Sequence, residues 1–228
     1  MALAAGLAAS DYDYKALHDQ YRVGLLREGA SAASAKRGAD VMAASRIFRA
    51  GFHMTDEEAA ALERHLERSP SDSGARLALM TKLALSDPKR HAHHAMILTE
   101  RDPSWPLLRP GSAVVSGALP EYEAWKDLWL RQVTGRPRSP AVAGNAAMVL
   151  QYHDPKLADA LFRRALGLSG DSYWSLEYGM FLQRNGRPCE AAKSYEAALG
   201  SSDLRFEWGS MFIETRHAES AAACAKRP

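Results

Sequence analysis

A chain of 228 residues, 46% hydrophobic and 25% charged, has the length and composition of one sizeable soluble domain that folds alone. A formal net charge of +2 supplies no bulk field for a nucleic-acid backbone or an anionic membrane, so neither is expected as a partner. Two cysteines, Cys189 and Cys224, far apart and without a CxxC pair, exclude a zinc knuckle and offer no disulfide framework; Cys189 reads as a small buried thiol.

The chain opens on its longest apolar run, "MALAAGLAA", far short of the ~20 residues that cross a bilayer. No membrane span is expected. The run matches the end of a secretory signal's apolar region but lacks the basic leader, so the compartment is read as cytoplasmic, with export as the alternative if residues 1–9 are a signal remnant. Ser10 with Asp13 forms a capping pattern for an amphipathic helix to about Arg27, and residues 1–33 are taken as an N-terminal segment with a capping helix. From residue 34 to the end the chain reads as one helical repeat domain.

Helices are expected at about 34–50, then from the capping box of Thr55 and Glu58 through "DEEAAALERHLER", and at about 73–85, 88–101, 120–134, 140–152, 155–167, 172–185, 189–200 and 205–215. Between the fifth and sixth lies "SWPLLRPGSAVVSGALP", whose prolines and glycines forbid a continuous helix; residues 104–120 are either a broken repeat or an inserted loop. No strand pattern is present. The Ala-rich end "AESAAACAKRP" is either a polar cap or a disordered tail.

These elements repeat. Ala158, Phe162, Ala165 and Leu166 return at one constant offset as Ala191, Tyr195, Ala198 and Leu199, a helical face on which small residues admit a neighbour and an aromatic fills the gap. "AVAGNAAMVLQY" stands ahead of "YWSLEYGMFLQR" by that same offset. Breaks near Pro70, Pro103, Pro137, Gly170 and Asp203 keep the interval to within one position, so the unit is a helical hairpin.

Gly179, Ala191, Tyr195 and Ala198, with Ser175, Tyr178 and Leu182, give this unit a pattern that resembles the tetratricopeptide repeat family, in a degenerate form of the kind found in bacterial repeat proteins. The preceding unit resembles it through Val142, Asn145, Ala146, Val149, Ala158, Phe162 and Ala165. The resemblance implies an all-α, right-handed solenoid of stacked hairpins whose first helices line a concave groove for a peptide or protein segment. Carried onto this sequence, that groove is lined by Arg76, Met80, Leu83, Ala147, Leu150, Gln151, Tyr173, Met180 and Arg184. The Lys and Asn carboxylate clamp of some family members has no counterpart at these positions.

Outside the repeats, "DPKRHAHHAM" places Asp87, His91 and His94 on one helical face, a possible partial zinc set, although Asp87 before Pro88 is more simply an N-cap. In "GDSYWS" Ser172 lies at a repeat junction without the strand a nucleophile elbow requires, and so reads as a cap or turn residue. Trp125 and Trp129, four apart beside Leu128 and with Trp105 nearby, have the spacing of helix packing, with an exposed anchor for a partner as the alternative. Lys36, Arg37, Arg46 and Arg49 read as a solvated face.

The function expected is a non-enzymatic scaffold that binds another protein or peptide, without cofactor or metal and with self-association possible through its ends. The alternative is a metal-binding or enzymatic protein on the same scaffold, using Asp87, His91 and His94.

Overall fold

A computed structural model describes residues 12–105, 114–169, 172–200 and 210–226. Among them the chain is entirely helical. The helices are α1 (Tyr14–Arg27), α2 (Ala32–Phe52), α3 (Asp56–Arg68), α4 (Ser73–Ser86), α5 (Pro88–Arg101), α6 (Glu121–Gly135), α7 (Pro140–Leu150), α8 (Pro155–Ser169), α9 (Ser172–Arg184), α10 (Pro188–Leu199) and α11 (Ser210–Ala225).

Local chemistry starts these helices where short polar side chains and proline stand. The Asp13 side chain accepts from the Ala16 amide, Ser31 from Ser34, Asp72 from Ala75, Asp87 from Arg90, and Ser139 from Val142. Thr55 and Glu58 complete a reciprocal capping box at α3. Proline occupies the first position of α5, α7, α8 and α10, where its missing N–H costs nothing. Asp13 caps α1; Ser10 and residues 1–9 lie outside the described residues, as do the breaks at Gly170 and Asp203. "AESAAACAKRP" is no free tail over its described length, because α11 runs through it to Ala225.

The hairpins recur at a fixed period. The second helices α5, α6, α8 and α10 begin at Pro88, Glu121, Pro155 and Pro188, at intervals equal to within one position. Helices pack mainly on their neighbours: α1 on α2, α2 and α3 on α4, α4 on α5, α5 on α6, and so to α10 on α11. That pattern is the packing of a helical repeat. Cross-repeat ion pairs keep the same register: Arg90 of α5 meets Glu63 of α3, Lys126 of α6 meets Asp154 at the start of α8 at 2.8 Å, and Arg187 at the start of α10 meets Asp159 of α8 at 2.6 Å. Each pair spans 27 or 28 residues.

Between Arg101 and Glu121 the described residues form turns, and α5 packs directly on α6. The segment is nonetheless tied down at both ends. The buried Asn145 amide of α7 donates to the Pro103 carbonyl at 2.9 Å and to that of Trp105 at 3.1 Å, while Val115 is fully buried.

The cysteines correct the sequence reading. Cys189 is not a free thiol: it is disulfide-bonded to Cys224, with Cα atoms 4.7 Å apart and a sequence separation of 35 residues. The physical reason is the repeat itself. One hairpin period carries the chain back beside its starting level, so the first turn of α10 meets the last turn of α11.

Candidate functional site

Close stacking decides which of the expected groove residues reach solvent. A β-carbon built on Gly144 of α7 would stand 2.2 Å from the Trp174 ring of α9, so the absence of a side chain there makes room for the indole. Arg76, Met80, Leu83, Ala147, Leu150, Gln151 and Tyr173 are all buried. They hold repeats together and present no surface in this state. Met180 is half-buried against the core, and Arg184 alone of the nine is exposed.

The polar members of that set are cross-links. The Arg76 guanidinium donates to His94 Nδ1 at 2.9 Å and to the Pro70 carbonyl at 3.0 Å, joining α4, α5 and the turn before α4. Arg184 donates to the Gln151 side-chain oxygen, a bond between equivalent positions in successive repeats. Its guanidinium also lies 5.6 Å from the ring centre of Tyr152, which is 54% exposed. Tyr152, Met180 and Arg184 therefore form the accessible remainder of the expected groove, and Tyr152 is the member that sequence reasoning omitted.

The histidine cluster is engaged elsewhere. Asp87 caps α5 by accepting from the Arg90 amide at 3.1 Å. His91 is buried, with Nδ1 3.0 Å from the Met80 carbonyl and Nε2 3.1 Å from that of Val114, so both ring nitrogens face backbone oxygens. His94 has its Nδ1 lone pair occupied by Arg76. Burial first, and then the Arg76 cation, push its imidazole down to about 4, so it accepts that bond in neutral form. Among the described residues no three His, Cys, Asp or Glu side chains converge as a bound metal requires.

Trp125 and Trp129 are fully buried, edge to face with centroids 6.4 Å apart, so they are core and not an exposed anchor. Ser172 is the first residue of α9. Of the residues read as a solvated face, Lys36 pairs with the buried carboxylate of Asp40 at 3.2 Å. Tyr14 of α1 also donates to Asp40, and burial followed by that bond raises the phenol well above its ordinary value. The pair clasps α1 to α2. Nothing in the sequence marks it beyond the four-residue spacing of Lys36 and Asp40.

A second clasp joins α8, α9 and α10. Asp159 accepts from Tyr178 at 2.8 Å, Arg187 at 2.6 Å and Arg163 at 2.8 Å. Burial pushes its carboxyl up, but these three donors outweigh it and hold the group below the usual carboxylate range. Searches with models of known protein families and among curated proteins return no match to this chain.

Proposed function

We propose that this protein is a non-enzymatic interaction module, a right-handed tetratricopeptide-like solenoid that binds a protein or peptide segment. The observation that carries the reading is the even recurrence of second-helix starts, matched by ion pairs at constant register. Stacked hairpins bury each other's apolar faces and leave the remaining exposed side chains available for recognition. The polar side chains described above support the non-enzymatic part, since the sequence's candidates for chemistry serve as caps and cross-links.

The accessible part of the expected groove, Tyr152 with Arg184, offers an aromatic and a cation side by side, residue types that dominate binding energy at interfaces. The Cys189–Cys224 disulfide favours an oxidising compartment, and so the export alternative over the cytoplasmic one. None of the described helices is long and apolar enough to cross a membrane.

Affinity capture of the tagged full chain from its source cells tests the reading, run beside Tyr152→Ala with Arg184→Glu and with folding checked by circular dichroism. A protein recovered with the wild type and depleted with the folded variant supports an interaction module using this surface. Recovery of no protein by either chain, from fractions of every compartment, speaks against it.

A further inference from the structure

Among the described residues, the large apolar side chains left exposed concentrate on the first hairpin: Val23 and Leu26 on α1, and Met42, Phe48 and Phe52 on α2. Phe52 is 62% exposed, an unusual place for a phenylalanine on a helix without a neighbour to cover it. Positions 42, 46, 49 and 53 recur at helical spacing and form one stripe of α2, with 41, 45, 48 and 52 as the stripe beside it. The first carries Met42, Arg46, Arg49 and His53; the second is mainly apolar. An open groove of about 660 Å³ runs along this face, closed on one side by Tyr21 of α1 and at its end by Thr55 and Glu58 of α3.

The charges in the groove are mostly of one sign. Arg46 and Arg49 stand one turn apart along it; Arg46 already has a partner within the protein, whereas Arg49 makes no ion pair or hydrogen bond through its side chain among the described residues. Glu58 is the one carboxylate among the described lining residues, and its Oε2 already accepts from the Thr55 amide at 2.8 Å. Arg49 beside exposed methionine and phenylalanine matches a segment that carries a carboxylate and apolar side chains along the same face.

The geometry points to this groove as a docking site for an acidic amphipathic protein segment, a carboxylate of which pairs with Arg49 while its apolar side chains cover Met42 in the groove and the exposed Phe52 beside it. The inference rests on the reading of the chain as an interaction module but uses a different surface from Tyr152 and Arg184.

Selection from a display library of random peptides of about 16 residues, long enough for four helical turns, tests it on the oxidised full chain. The expected outcome is enrichment of peptides with Asp or Glu and with Leu, Ile or Phe on the same helical face. By fluorescence anisotropy, an enriched peptide binds roughly tenfold more weakly to Arg49→Glu and in raised salt, but equally to Lys89→Glu, an exposed charge change on α5. No enrichment, enrichment of non-acidic peptides, or affinity indifferent to Arg49→Glu overturns the proposal. So does tighter binding of a labelled oligonucleotide of similar length. Concentration-dependent dimerisation abolished by Phe52→Asp in sedimentation also overturns it, by assigning the face to a second copy. If captured proteins still depend on Tyr152 and Arg184 while these tests fail, the module reading stands and this groove is excluded.

Discussion

Removing the Cys189–Cys224 cross-link by paired substitution to serine should loosen one end of the protein and spare the other. The disulfide closes a loop of 35 residues. Chain entropy alone assigns such a closure about 4 kcal/mol. α11 otherwise holds to its neighbours through few buried groups, chiefly Ile213 and Ser220, with Phe212 packed beside them. In a stack where each unit touches only adjacent units, the loss should fall on the terminal unit and not on the whole chain. Hydrogen exchange read by mass spectrometry therefore should show protection across residues 210–225 dropping by up to about a thousandfold, the equivalent of that free energy. Peptides from α4 and α5 should exchange as in the wild type. Uniform loss along the chain would refute the neighbour-only stacking, and unchanged protection in α11 would refute the claim that the disulfide holds the cap.

Four further perturbations separate backbone approach, buried polar bonding and protonation. Gly51→Ala places a β-carbon 2.2 Å from the Ala78 carbonyl oxygen, rigid backbone that cannot swing aside, and should cost about 1–3 kcal/mol in urea unfolding. Gly167→Ala, in an exposed turn of α8 with nothing within 4 Å, should instead add about 0.5–1 kcal/mol. Asn145→Ala orphans the Pro103 and Trp105 carbonyls and should cost about 3 kcal/mol, with earlier proteolysis between α5 and α6 as a second readout. His94 is neutral when folded because its pKa is lowered to about 4, whereas the unfolded chain binds the proton near 6.5. The unfolded state thus takes up protons first, and stability present above about 6.5 is lost as pH falls toward 4. Urea midpoints should decline over that range, and decline less in His94→Gln.

Element positions were legible in the sequence because their causes are local. Asp87 with Pro88, Ser139 with Pro140, and Thr55 with Glu58 start helices by chemistry confined to a single turn, and the structure starts α5, α7 and α3 there. The regularity of second-helix starts follows from the same punctuation. Side-chain exposure was not legible, because it depends on how closely one hairpin sits on the next. Gly144 makes room for the Trp174 ring across positions almost one repeat apart, and Ala147 and Tyr173 beside them are buried. The disulfide escaped for a related reason. Its 35-residue separation is near one period, a signal that means proximity only once hairpin geometry is assumed. The exposed stripe of Met42, Arg46 and Arg49 had a helical spacing in the sequence, but only the absence of a covering helix among the described residues distinguishes it from the similarly spaced Trp125 and Trp129.

Site-specific photocrosslinking in the source cells tests the central claim most directly. A benzoylphenylalanine is placed in turn at exposed positions 52, 85, 152 and 211, spread over α2, α4, the end of α7 and α11. An interaction module predicts a discrete adduct with one protein at position 52 or 152 and none at position 85, with the adduct lost on unfolding. Absence of any adduct above the unirradiated control at all four positions would contradict the account.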